Sequence, residues 1–158
     1  MAKAQRVKSG TVQVEGLREL NKALRDLGPD MQKELRQASK SVAEFVASDA
    51  RAAALSLGGV AEKVAPSIKG LGGVRSASVA FGGARYPFAG GAEFGAGQDL
   101  RRTRSSGSYK GFNQFDRWKG NGKDAGYFVY PTIRRDADRI VTEYGKAVDV
   151  LLKKAFPD

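Results

Sequence analysis

The apolar positions of this chain fall into helical stripes, short alternating runs and one long stretch with no period. Leu17, Leu20, Leu24 and Leu27 recur at spacings of three and four, the stripe of an amphipathic helix over residues 17–27. Gly28 and Pro29 close it, since glycine suits a C-terminal cap and proline cannot continue the ladder. Asp30 is placed to cap a second, long helix over residues 30–55, striped by Met31, Leu35, Ala38, Val42, Phe45, Asp49 and Ala53, with Val46 and Ala50 beside it. Ile133, Ala137, Ile140, Tyr144, Val148, Leu151 and Ala155 predict a C-terminal helix over residues 131–156, with Pro131 in its first turn and Pro157 stopping it.

Alternation predicts the strands. Thr11–Glu15 (TVQVE) reads as one strand, and Val74–Phe81 (VRSASVAF) as another with Arg75, Ala77, Val79 and Phe81 inward. Two further stretches, Tyr86–Gly97 (YPFAGGAEFGAG) and Gly126–Pro131 (GYFVYP), are strand-sized, aromatic and bounded by glycine or proline. They hold Tyr86, Phe88, Phe94, Tyr127, Phe128 and Tyr130, six of the chain's 14 Phe, Trp and Tyr residues, and so read as an apolar floor. Strands are expected within Tyr86–Phe94 and over Tyr127–Tyr130. The expected fold class is α+β: a small, mainly antiparallel sheet with the long helix and the C-terminal helix packed on one face. Its core would gather Leu20, Leu24, Leu35, Val42, Ile140 and Leu151.

The rest is aperiodic. Residues 1–10 read as a flexible basic arm, and residues 56–73 as a loop of small residues and glycines. Residues 98–125 carry Arg101, Arg102, Arg104, Lys110, Arg117, Lys119 and Lys123 against Asp99, Asp116 and Asp124. Tyr109, Phe112, Phe115 and Trp118 are interleaved at intervals of three. A loop this long within a compact domain is usually functional or disordered. Trp, Tyr and Arg are enriched at protein–protein hot spots, so Arg101, Arg102, Arg104, Tyr109, Phe112, Phe115, Arg117 and Trp118 form the candidate interface.

Composition narrows the chemistry. At 158 residues the chain is expected to form a single domain, residues 1–158, with enough core to fold without staples. It has no Cys and no His, which removes disulfides, thiolate metal sites and Ser–His or Cys–His nucleophiles. Neither a membrane-spanning run nor the apolar core of a signal peptide is expected. The net charge of +10 points to a polyanion or to acidic protein surfaces. Gly122–Lys123 is followed by Asp124, and the residue five before Gly122 is Arg117, so no phosphate loop is present. Glu93 is the one acid of the central stretches, and a single carboxylate cannot serve as both acid and base. Its expected role is an anchor at a strand end. No catalysis, metal or cofactor is expected.

The order of features resembles the neck and tail-completion (head–tail connector) proteins of long-tailed phages. The resemblance is carried by Val12–Leu24 (VQVEGLRELNKAL), the long helix over residues 31–54, YPFAGGAEFGAG and GYFVYPTIRRDADRI. Its motif residues are Tyr86, Glu93, Phe94, Gly95, Tyr130 and Pro131, and the segment NQFDRWKGNG resembles a longer variant of the family's loop. Here EFGAG stands where EFGT is commoner. The resemblance implies a non-enzymatic virion protein at the head–tail junction, in the host cytoplasm during assembly. It would form a ring of six copies, touching neighbouring neck and tail-tube proteins and the DNA of the channel. Stopper, completion and terminator proteins share these motifs. The alternative is a basic nucleic-acid-binding module that stacks bases on the loop aromatics and neutralises phosphates with its Arg and Lys. A small carboxylate-dependent hydrolase comes third.

Overall fold

The computed structural model of the chain describes residues 4–8, 11–14, 22, 26, 28–74, 76–96 and 115–155. The fold is α+β and mostly helical. An N-terminal hairpin pairs β1 (Ala4–Lys8) with β2 (Thr11–Val14), antiparallel. There follow α1 (Pro29–Leu57), α2 (Gly59–Val64), a 3-10 turn (Ala65–Ser67), β3 (Lys69–Gly72), β4 (Ala77–Ala80) and α3 (Ala89–Phe94). The chain ends in α4 (Val129–Arg135) and α5 (Ala137–Ala155). The expected helix over residues 17–27, with Leu20 and Leu24, lies outside the described residues apart from helical Lys22 and Asp26.

The long helix α1 runs as its stripe requires. Gly28 takes the N-cap position at φ 107°, and Pro29 follows inside the first turn, where its missing N–H costs nothing. Asp30 is therefore a first-turn acid facing the helix dipole and not the cap itself. The buried face is rotated from the expected stripe, to Leu35, Ser39, Val42, Ala43, Val46, Ala47, Ala50 and Ala54. Phe45, Asp49 and Ala53 sit at its edge, half-buried. A strand is pressed onto the helix at Ala43. β3 crosses α1 so closely that a Cβ on Gly70 would strike the Glu44 backbone, and one on Gly72 would strike Arg36 and Lys40. A stretch that reads as a glycine-rich loop is thus a strand, and its glycines are the reason it can lie there.

The strands make two separate antiparallel pairs among the described residues, β1 with β2 and β3 with β4, in place of one four-stranded sheet. The β3–β4 register is Lys69↔Ala80, Gly70↔Val79, Leu71↔Ser78 and Gly72↔Ala77. Val74 precedes β4, and Phe81 follows it. Two expectations fail here. Tyr86–Phe94 holds no strand: Pro87 and Phe88 turn into the helix α3. Tyr127–Tyr130 holds none either, since Val129 opens α4. Aromatic clusters of this length fit a short buried helix as well as a strand, and length alone misread them.

The C-terminal helix is divided at Asp136, which joins α4 to α5. Thr132 and Asp136 carbonyls accept from the Asp136 and Ile140 amides at 2.9 and 2.8 Å, so the ladder continues across the bend. The larger core packs Ala47, Ala50 and Ala54 of α1 against Val64, Ile68, Ala89, Phe128 and Val129. A second core joins Leu35 of α1 to Leu151 of α5. Val42 is buried as expected, and Ile140 is only half-buried.

Candidate functional site

The two aromatic stretches meet around one carboxylate. Glu93, the fifth residue of α3, is fully buried. Its Oε2 accepts the amides of Phe128 at 3.1 Å and Val129 at 3.0 Å, and its Oε1 accepts that of Tyr130 at 2.9 Å. These are the N–H groups that open α4, which its own backbone cannot satisfy and which carry the positive end of the helix dipole. A side chain 35 residues upstream therefore does what an N-cap residue does locally. The carboxylate is an anchor, as expected, but of a helix start and not of a strand end. Burial pushes its carboxyl above the ordinary range, against the downward pull of the amides of Tyr130, Val129, Phe128 and Tyr127.

The neighbours of Glu93 leave no room for alternatives. Gly126 sits at φ 84°, and a Cβ there would collide with Glu93 Oε1. Phe94 stacks edge-on against Tyr130 with centroids 5.2 Å apart, and lies 6.4 Å from both Phe81 and Trp118. Tyr86 packs on Phe88 at 6.3 Å on the flank of the main core. A Cβ on Gly95 would strike the Arg117 carbonyl, so the two segments run backbone to backbone. Ala96 donates to the Asp116 carbonyl at 2.9 Å, and Lys119 to the Phe94 carbonyl at 2.6 Å. Glu93, Phe94, Gly95 and Tyr130 are thus parts of one joint, Tyr86 lies apart from it against Phe88, and Pro131 stands one residue beyond the joint in the first turn of α4.

Of the expected interface, Arg101, Arg102, Arg104, Tyr109 and Phe112 lie outside the described residues. Phe115 does not face outward: its ring lies where a Cβ on Gly91 of α3 would be, and the side chain is half-buried. Arg117 is exposed, and its carbonyl accepts the Tyr127 hydroxyl at 2.6 Å. Trp118 is 55% exposed, with its indole laid over Gly120. Lys119 Nζ sits 4.9 Å above the Tyr127 ring, a cation–π contact that fixes this corner.

On the other side of α4 an open groove of about 690 Å³ runs between α1 and α4, floored by Ala53, Phe128 and Thr132 and walled by Leu57, Tyr127 and Pro131. Asp49 closes one end, facing Arg139 at 3.5 Å and Arg135 at 3.8 Å, and Arg135 also holds Asp136 at 2.8 Å. Arg139 lies 4.3 Å over the Phe45 ring. Sequence periodicity could not find this groove, because its lining comes from the edge of one helical face and from a helix read as a strand. Its walls offer no paired acid and base: Asp49 is occupied by arginines. Among the described residues no group of three or more His, Cys, Asp or Glu could hold a metal ion. Among them, too, no helix is long and apolar enough to cross a membrane.

No family model, curated protein or solved structure matches this chain.

Proposed function

We propose that this chain is a non-enzymatic structural protein of a tailed phage, assembled as a ring at the head–tail junction with neighbouring neck and tail-tube proteins as partners. One observation carries the reading. The short motifs behind the resemblance, EFG at Glu93–Gly95 and YFVYP at Tyr127–Pro131, are a single physical unit: one supplies the carboxylate and stacking ring, the other the helix start that both hold. Motifs that each could arise by chance gain weight when they are two halves of one joint. The joint also presents a half-exposed tryptophan between Arg117 and Lys119, which suits docking.

Native mass spectrometry of the full chain, paired with a DNA titration over a range of salt, tests this. The reading expects a closed ring of one copy number and weak DNA affinity. A monomer whose DNA affinity falls steeply with added salt would replace it with the basic nucleic-acid-binding module.

A further inference from the structure

We infer that the flank of α1 carrying β3 is a docking surface for the phosphate backbone of a nucleic-acid duplex, with Lys33, Arg36, Lys40 and Lys69 as its contacts. The inference goes beyond the proposed ring and does not depend on it.

The four cations share a flank because β3 is laid along it. Lys33, Arg36 and Lys40 follow one another at steps of three and four, so they project from one side of the helix over about 10 Å. Gly72 of β3 lies against the Arg36 carbonyl and the Lys40 backbone, and Gly70 against that of Glu44. Arg51 Nε donates to the Ile68 carbonyl at 3.0 Å, just before β3 begins. The strand therefore passes from beside Arg51 to beside Arg36 and brings Lys69 to the same flank. All four cations are exposed.

Their charge is not offset locally. Among the described residues none of the four makes an ion pair. Three acids of α1 are engaged elsewhere: Glu34 with Lys154, Asp49 with Arg135 and Arg139, and Glu44 with Arg51 and the Gly70 amide. The fourth, Asp30, sits in the first turn. On α5 the cations alternate with acids instead, as Lys146 does with Glu143. A chain of net charge +10 thus builds a local excess of positive charge onto this flank, and that excess attracts a polyanion.

The chemistry of the flank selects phosphate. Protein interfaces are depleted of lysine and enriched in aromatic rings. Here the exposed neighbours of the cations on α1 are Gln37 and Ser41, and Leu71 is the one large apolar side chain exposed on β3. Single strands are gripped by rings that stack on their bases. β3 has no ring, and the one aromatic of α1, Phe45, lies under Arg139. A duplex presents a phosphate about every 3.4 Å along each strand, so Lys33 to Lys40 spans roughly three base steps. Contacts of this kind position a duplex without reading its sequence.

Binding of the full chain to a short labelled DNA duplex of arbitrary sequence, followed by fluorescence anisotropy over a range of salt, tests the inference. Each phosphate neutralised contributes about −0.9 to the slope of log affinity on log salt. Lys33→Gln/Arg36→Gln/Lys40→Gln should therefore flatten the wild-type slope by about 2.7. Lys69→Gln alone should flatten it by about 0.9, and carries the test if the triple variant fails to fold. Lys146→Gln/Lys153→Gln/Lys154→Gln removes the same charge from exposed positions of α5 and should leave the slope as in the wild type. A slope unchanged in the α1 variants, or flattened equally in the α5 variant, overturns the site. Tighter binding to the matching single strand, or equal binding to poly-glutamate through the same three residues, overturns the duplex as its occupant. A wild-type chain with no DNA affinity at low salt overturns both. Copy number by native mass spectrometry decides the proposed ring separately, so the two readings fail independently.

Discussion

Two carboxylates in this molecule take hydrogen bonds from backbone amides, in surroundings that give those bonds different meanings. Glu44, on the outer side of α1, accepts the Gly70 amide of β3 at 2.9 Å and pairs with Arg51, its side chain about half exposed. Glu93 accepts three amides at the start of α4, meets no cation among the described residues and is fully buried. At Glu44 the Gly70 amide and Arg51 hold the carboxyl below its ordinary value of 4.5, whereas at Glu93 burial raises it. The α1–β3 contact is secured by glycines and alanines packed face to face, with Glu44 as a clasp on its rim. The joint between α3 and α4 has the carboxylate at its centre. Similar bonds are thus auxiliary in one region and structural in the other, and burial decides which.

The largest effect should come from removing the central carboxylate. Glu93→Ala leaves two buried amides and one partly buried amide without acceptors, at about 1–3 kcal/mol for each buried one before relaxation, and a net loss of roughly 3–5 kcal/mol is expected in urea unfolding. Glu93→Gln keeps the shape but turns an NH₂ toward a donor, and should cost about 1–3 kcal/mol. A loss below ~0.5 kcal/mol for the alanine variant would place the α4 start in water and dissolve the comparison.

On the other side, Leu35→Ala should cost about 2–5 kcal/mol, because Leu35 is fully buried against Leu151. Gly70→Ala sharpens the point further. Its methyl would overlap the Glu44 backbone, so strand and helix must separate, at about 1–3 kcal/mol. An unchanged or raised stability for this variant would mean that β3 does not lie on α1 as described.

What the sequence discloses divides along the same line. The α1 helix is legible nearly to its ends, since a stripe running from Met31 to Ala53 and a Gly–Pro start are local signals. Its burying face is not, because the stripe weights Phe45 over Ala43 and Ala47, and the small residues there are explained only by what packs on them, Gly70 at Ala43 and the main core at Ala47. The β3 strand was hidden for the same reason, its glycines reading as a loop until the helix beneath them is known. In the joint, the residues themselves were legible: Glu93, Phe94, Gly95 and Tyr130 were singled out as a motif. Their geometry was not, since a carboxylate capping a helix 35 residues downstream leaves no periodic trace. Trp118 and Phe115 read alike in sequence, yet Phe115 lies against Gly91 while Trp118 stands out.

The smallest effects concern pH, and the two carboxylates predict opposite signs. Glu44 has a lowered folded value, so its stabilisation is complete above about pH 4.5 and is lost as pH falls through the folded value. Being half exposed, it should contribute no more than about 1 kcal/mol. Glu93 has a raised folded value, so the unfolded chain gives up this proton first. Its contribution declines as pH rises from about 4.5 through the folded value, then levels off. Urea midpoints measured across this range should lose the acid-side fall in Glu44→Gln and the declining slope in Glu93→Gln. Profiles that both variants leave unchanged would mean that neither group differs between the folded and unfolded chains.

The joint itself is tested most directly by amide hydrogen exchange at Phe128, Val129 and Tyr130, compared between wild type and Glu93→Ala. Amides that open a helix ordinarily exchange fast, because nothing in the helix accepts from them. Here all three should be protected close to the level of global unfolding in the wild-type chain. In Glu93→Ala they should lose that protection well ahead of the α1 amides from Val42 to Ala50 under native conditions. Fast exchange at these three positions in the wild type, or protection that the substitution leaves intact, would contradict the account.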